Sequence, residues 1–532
     1  MYLVLALLFV QLTTTTILAR ETSSFTAAIY EVNVAMPDRL SNVSRTQAIS
    51  MMRGRLAKYS VVAKDTAKLN VDIMVFPEYG LFAEVKDLTR NSVTNFLDSI
   101  PDPTKIEPWI PCDNPGLYPN TEIQESLSCM AKENGIYIVV NLGDKHNCNP
   151  NDDLNCPADG RYQYNTNVVY SSNGTLVARY HKKHLFYEPY FNSPPTADYA
   201  VFDTPFGRFA TIVCFDILFK DTLIDLIEKH KVRNILFPNL WVDIPPFFLS
   251  IPFHRSIAKA AKINLISANM KIEGNQYNRG GSGLYTPRFK VYTTTRMGKH
   301  GSLLKLDVRN LKDDDVPSFP LPPKRKLPKS DNPQVKSTFM YKLLNFSTVT
   351  LLKQKGVVSV CEQGACCALE YEFHPKRTPK SEVNYILAAG NQEIFFSNNK
   401  DAVNTQSCVL CPVNNETLQC LQTLPENVTD EDTIFRTLKM YTVNFNTRYL
   451  FPQLNSFKAN TTIQCTHSKG QIEASNVPRL YSAIILGRVY YSDGPTSAGP
   501  TSDGPNSAAS YTYTVSVCTL VMMTFILGYL IV

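Results

Sequence analysis

The chain has 532 residues, of which 44% are hydrophobic and 19% charged, the composition of a globular protein rather than a disordered one. A formal charge of +6 over that length is a mild bias. No block of Lys and Arg interleaved with aromatics occurs, so nucleic acid is excluded as an expected partner.

Residues 1–19 hold an apolar run at 2–10 and end in Ile17, Leu18 and Ala19 ahead of the polar Arg20 and Glu21, the pattern of a secretory signal cleaved after Ala19. Six glycosylation sequons agree with export: Asn42, Asn173, Asn345, Asn415, Asn427 and Asn460 each stand two residues before Ser or Thr with no proline between. After the signal, β-branched runs alternate with helical periodicity. Strands are expected at 25–34, 72–76 and 136–141, helices at 45–69 and 120–134, and a hairpin across Asn173-Gly174. Strand 209–213, helix 221–230, strand 233–237, helix 249–262 and strand 263–269 continue the pattern. Such alternation over residues 20–312 makes an α/β sandwich.

Residues 20–490 are too many for one ordinary core, so a second domain is expected. The prolines of 313–334 mark the linker, with Lys324, Arg325 and Lys326 as a solvated basic face, or else a site of proteolysis or partner docking. Residues 335–490, rich in Tyr, Val, Thr and Phe in short runs, read as a smaller β-rich domain. A spacer of small residues and proline fills 491–514, followed by an uncharged apolar tail at 515–532 with nothing basic after it. That combination is expected to be a glycolipid-anchor signal, with Ser502 and Asn506 as attachment candidates, rather than a membrane-spanning end.

Three strand ends carry reactive side chains. Glu78 closes DIMVFPE, Lys182 follows LVARYH, and Cys214 lies in FATIVCFDILF. Taken singly, a cysteine in an apolar strand is more often a core hydrophobe, and Glu78 and Lys182 read as solvated loop charges. Together, a carboxylate, an ammonium and a thiol at strand ends can converge on one crevice, because open α/β sheets bind ligands beyond the carboxyl ends of their strands. Glu78 would then take the thiol proton, Lys182 would favour the thiolate and later the oxyanion, and Cys214 would attack an amide to form a thioester.

The order and surroundings of these residues resemble the Glu-Lys-Cys triad of the nitrilase superfamily, and FTAAIYE, DIMVFPE, DGRYQYNTNVVY, LVARYHK and CFDILF are similar to its vanin and biotinidase branch over residues 24–490. The resemblance implies an αββα four-layer fold and hydrolysis of a small-molecule amide without a cofactor. It implies pantetheine, cleaved to pantothenate and cysteamine, as the first expectation. Biocytin is the alternative substrate, and an idle adhesion or signalling glycoprotein on the same fold is the rival. The chain departs from the vanin pattern at Tyr79, where an acidic residue is expected, and between Lys182 and Phe202; both changes are expected near the substrate entrance. Further candidates for the site are Trp241 as a wall, Glu188 as a group positioning Lys182, and the backbone N–H of Phe215 as a second oxyanion donor. Glu78→Gln and Lys182→Met are each expected to remove nearly all turnover and to leave the thermal midpoint little changed.

Cys112, Cys129, Cys148 and Cys156 are expected to form two disulfides in an exported chain, with three pairings open. Seven more cysteines lie in residues 335–490, an odd number that leaves one thiol free or one bridge between domains. Disulfides are also the expected use of the vicinal Cys366-Cys367 and of Cys408 and Cys411. The histidines show no His-Glu-x-x-His and no paired-ligand spacing, so no catalytic metal is expected. Gly280-Gly281-Ser282-Gly283 lacks the lysine of a phosphate loop and is expected to be a turn lining the cleft.

Overall fold

In the computed structural model, described over residues 24–34, 43–82, 89–273, 275, 280–293, 301–311, 319–339, 344–375, 383–396, 401–413, 420–421, 433–456, 465–468 and 470–490, the first strand already defines the layers. Side chains alternate along a strand, and in Ser24–Val34 Ala27 and Ile29 face one core while Ala28 faces another. Tyr137–Asn147 repeats this, with Val139 on the first side and Ile138 and Val140 on the second. A second sheet mirrors it: Leu236 and Ile266 join the first core, whereas Ile235, Phe237 and Leu265 face a third.

The shared core is therefore the seam between two sheets, and each outer core is roofed by helices. Arg45–Ala67 and Glu122–Asn134 cover the eight-stranded sheet, and Ser250–Ala260 covers the six-stranded one. This is the four-layer α/β sandwich expected from the sequence. The first helix begins at a capping box in which Ser44 and Gln47 exchange hydrogen bonds, and the second stops at Gly135, whose φ of +65° is open to glycine.

Strand direction sets the site. Ser24–Val34, Ile73–Val75 and Tyr137–Asn147 run parallel, as do Gly207–Thr211, Asn234–Pro238 and Asn264–Ala268. Glu78, Cys214, Leu240 and Asn269 thus all emerge just beyond the carboxyl ends of parallel strands. The hairpin across Asn173-Gly174 joins Arg161–Tyr170 to Leu176–His181, which delivers Lys182 to the same end.

Some expectations required correction. The helix expected at 221–230 is a wide turn, Lys220–Ile224, running into the short Asp225–Glu228. Ser302–Arg309, absent from the expected elements, pairs antiparallel with the first strand along eight residues and inserts Leu304, Leu306 and Val308 toward the seam. The glycine-rich turn does not line the cleft: Gly280 is packed where an added Cβ would meet the Glu31 carboxylate at 2.7 Å.

Beyond residue 335 the chain forms two antiparallel sheets, six- and five-stranded, whose facing sides make a core including Leu369, Phe373, Tyr385, Leu410 and Phe435. The other side of the six-stranded sheet, through Phe346, Ile386, Val409, Ile484 and Leu486, continues the core behind Cys214. Arg488, almost fully buried, donates from Nε to the carbonyl of Leu218 at 3.0 Å. Arg325 is docked, not a solvated linker charge: it donates from Nη2 to Gln471 at 2.9 Å and lies over the Tyr441 ring, while Lys324 and Lys326 are exposed.

Cysteine pairing follows these strands: Cys112–Cys129, Cys148–Cys156, Cys361–Cys366, Cys367–Cys408 and Cys411–Cys420. The vicinal pair and the Cys408/Cys411 pair are each split between different bridges. Asn173 and Asn345 are exposed; Asn42, Asn415, Asn427, Asn460, Ser502, Asn506 and the tail lie outside the described residues. No described helix is long and apolar enough to cross a membrane.

Candidate active site

Glu78 leaves its strand after Phe-Pro and is 1% exposed. Its Oε1 accepts from Lys182 Nζ at 2.8 Å, and Lys182 in turn donates to Glu188 Oε2 at 2.6 Å. Glu188, offered by the sequence only as a group that could position Lys182, thus lies on the ammonium directly. Asn165 ties the two acids together, its Nδ2 donating at 2.8 Å both to Glu78 Oε1 and to Glu188 Oε1. Asn165 is itself held by Asn141, which donates to its Oδ1 at 2.6 Å.

Cys214 begins a tight helical turn, Cys214–Leu218, with φ of +44°. A side chain is rarely tolerated there, and such strain, of order 1–3 kcal/mol, persists only where surroundings enforce it. Asp216 enforces it by accepting from the Val213 N–H at 3.1 Å and from Tyr180 Oη at 2.7 Å. One residue then joins thiol to acid: the Leu240 N–H donates to Glu78 Oε2 at 2.8 Å, and the Leu240 carbonyl accepts from Cys214 Sγ at 3.7 Å. The three strand ends read from the sequence are brought together, and Cys214 is the free cysteine among the described residues.

One ammonium faces two buried carboxylates, and the electrostatics follow from that ratio. Burial pushes the Glu78 carboxyl up against the opposing pull of Lys182. Burial alone would lower Lys182, but Glu188 and Glu78 outweigh it and hold the ammonium well above its ordinary value. The Cys214 thiol is pushed well up, first by burial and then by Glu78, with Lys182 acting the other way. Lys182 thus favours the thiolate, but burial and the Glu78 charge outweigh it.

The cleft over the sulfur has an empty volume of ≈ 330 Å³ including its open mouth. Apart from Cys214 its lining is wholly hydrophobic: Phe186, Phe215, Leu218, Leu240, Trp241, Val242, Ile244 and Phe248. Trp241 forms part of the wall and is also anchored, its Nε1 donating to the Phe248 carbonyl at 2.7 Å. The Phe215 ring lies in the same wall, which places its backbone N–H next to the sulfur-bearing residue. Tyr79 is not at the entrance. It is buried behind the acids, its hydroxyl donating to Glu188 and lying 3.2 Å from that of Tyr190.

The loop after Lys182 is clamped by a residue that nothing in the sequence singled out. His184 places Nε2 2.7 Å from Asp221 and Nδ1 3.2 Å from Asp401 of the C-terminal sheets, with its ring stacked on Phe219. Burial alone would lower this imidazole, but its bonds to Asp221 and Asp401 raise it to about 9. A histidine raised in the folded state contributes stability fully below its unfolded value of about 6.5 and loses it as pH rises through the folded value. The span corresponds to about 3 kcal/mol. Thermal melts from pH 6 to 10 are expected to show a drop centred in this window, and the difference from His184→Gln should vanish at the alkaline end. Parallel curves for the two proteins would contradict the charged clamp.

A carbon-nitrogen hydrolase family model matches residues 26–277, and a vanin C-terminal domain model matches 337–493. The chain is 35% identical to pantetheinase of Mus musculus, with 82% of each chain covered. It is 33% identical to pantetheinase of Sus scrofa over 90% of this chain and 91% of that one. Biotinidase of Bos taurus is 36% identical over 66% of this chain and 72% of its own.

Proposed function

The chain belongs to the carbon-nitrogen hydrolase family, in the branch of the pantetheinases and biotinidases, and from that premise we propose that it cleaves pantetheine to pantothenate and cysteamine through an acylated Cys214. Hydrolysis of an amide C–N bond is the activity its family carries. The carrying observation is the shared residue Leu240, which holds Glu78 by its N–H and the Cys214 thiol by its carbonyl, with Lys182 2.8 Å from the same carboxylate.

In this reading Glu78 accepts the thiol proton as sulfur attacks the amide carbon, and the carbonyl oxygen gathers negative charge. The Lys182 ammonium and the Phe215 N–H stabilise that oxygen, a contribution worth about 3 kcal/mol per donor in comparable sites. The tetrahedral adduct collapses, the C–N bond breaks, and the Glu78 carboxyl returns its proton to the departing amine. Water then takes the amine's place, gives a proton to Glu78, and attacks the thioester; the acid leaves and the thiol is restored. Glu188 keeps Lys182 charged and in place throughout.

Turnover by purified ectodomain with pantetheine and with biocytin tests the substrate, with Cys214→Ala as control. Cysteamine release lost in the variant is the expected result. Biotin release instead would move the chain to biotinidase chemistry, and silence toward a panel of small amides would indicate an idle glycoprotein. Asn165→Ala, which unties the two acids without touching the sulfur, is expected to lower kcat about 10- to 100-fold with a smaller change in KM. An unchanged kcat would remove Asn165 from the positioning of the site.

We further propose an exported, surface-tethered protein: disulfides persist outside the reducing cytosol, and the apolar tail follows a small-residue spacer suited to a glycolipid at Ser502 or Asn506. Phosphatidylinositol-specific phospholipase is expected to release it from cells; retention on the membrane would contradict the anchor.

A further inference from the structure

The strand that delivers Lys182 to the cleft sends its preceding side chain, His181, to the opposite face of the sheet. There it meets two residues of the strand Tyr137–Asn147 that share a face by their spacing, Asp144 and His146. Asp144 Oδ2 lies 2.8 Å from His181 Nε2 and 2.7 Å from His146 Nε2, and the ligating atoms of all three lie within 4.8 Å of one another. The other oxygen, Oδ1, is committed to the Ile100 N–H at 2.9 Å, so Oδ2 alone serves both rings.

His181 has a carboxylate on each side, Asp144 Oδ2 at Nε2 and Asp198 Oδ2 3.4 Å from Nδ1. A carboxylate on the far nitrogen is the usual support for a metal-bound histidine, since it fixes the tautomer and raises ligand basicity. The Tyr164 ring, stacked on His181 at 4.1 Å, fixes the plane of the imidazole.

We propose that Asp144, His146 and His181 form a binding site for a divalent transition metal, with zinc the best match to two imidazoles and a carboxylate, on the opposite face of the sheet from the cleft and independent of the reading of Cys214. Zinc stands about 2.0–2.1 Å from such ligands, which sets tetrahedral ligand separations of about 3.3 Å. Each ring nitrogen must therefore move roughly half an ångström away from Oδ2. His146, whose side chain is 38% exposed, can turn outward to do so and leaves a way in from solvent, where a water completes the coordination. Arg179 does not block the ion: its Nη1 is 4.0 Å from Asp144 Oδ2 and donates instead to the Ile100 carbonyl at 2.8 Å.

Isothermal titration of the intact ectodomain with zinc chloride at neutral pH, in a Cys214→Ala background so that the thiol takes no metal, tests the site. One equivalent bound is expected. His146→Gln, at a half-exposed position that leaves the fold intact, should lower the affinity at least about a hundredfold, and Asp198→Asn about 10- to 100-fold. Cobalt substitution should give tetrahedral ligand-field bands without a thiolate charge-transfer band. No stoichiometric zinc binding would show that only protons occupy the cluster and would overturn the proposal, as would undiminished binding in folded His146→Gln or a thiolate band with cobalt.

Discussion

Cys214→Ala is expected to lower kcat/KM for the amide substrate by about 10⁵-fold or more, with a loss of stability of no more than about 1 kcal/mol. The size of the catalytic effect follows from the cleft, whose lining offers no second nucleophile: every other residue on it has a hydrocarbon or indole side chain. The small structural effect follows from the bond the thiol makes, a single weak contact of 3.7 Å with a carbonyl. The strained φ at this position is kept by Asp216 and Tyr180 whichever side chain is present. Kinetics beside a thermal melt measure both quantities, and residual turnover above about one part in a thousand would move the nucleophile elsewhere.

Lys182→Met is expected to remove turnover and, unlike Glu78→Gln, to destabilise the protein by about 3–5 kcal/mol. Sequence reasoning placed both substitutions as thermally silent, and the geometry separates them. Glu78 and Glu188 are both buried, and Lys182 is the ammonium between them at 2.8 and 2.6 Å. Removing it leaves two buried carboxylates facing each other through Asn165. Replacing Glu78 by glutamine leaves one ammonium with one carboxylate, and the new amide oxygen can still accept from Lys182. Glu78→Gln should therefore lose turnover with its melting curve nearly in place. In Lys182→Met, adding Glu78→Gln should recover part of the lost stability without recovering activity. Equal melting points for the two single variants would mean that the carboxylates are relieved by water and not by the lysine.

The parts of the site carried by local pattern were legible before the fold was known. β-branched runs ending in Glu78, Lys182 and Cys214 mark strand ends, and strand ends of parallel sheets meet on one side of a sandwich. What supports them was not. Asn141, Asn165 and Asn167 are polar residues at alternate positions of strands, a pattern that ordinarily reads as the solvated face of a sheet, yet all three are fully buried. Asn141 donates along the sheet to Asn165 and Asn167, and Asn167 donates across the seam to Thr211. An Asn-x-Asn repeat running straight into the apolar Val168, Val169 and Tyr170 is the signal that could have found Asn165 and Asn167.

His184 was hidden differently. Its partners lie 37 and 217 residues away, so nothing in His-Lys-Lys-His distinguishes it from a solvated charge. The same distance in sequence concealed the contribution of the C-terminal sheets, which hold that loop through Asp401 and brace Leu218 and Phe247 through Arg488 and Gln453. Asp144, His146 and His181 were not singled out by the sequence either; they meet because the strand Arg161–Tyr170 sets Tyr137–Asn147 and Leu176–His181 one strand apart in the sheet.

Acid-quenched turnover analysed by mass spectrometry of the peptide containing residue 214 tests the central claim most directly. During steady-state cleavage of pantetheine, a fraction of that peptide should carry the pantothenoyl group as a hydroxylamine-labile thioester, absent from Cys214→Ala. Cysteamine release proceeding with the thiol unmodified at every quench time, and undiminished in Cys214→Ala, would contradict it.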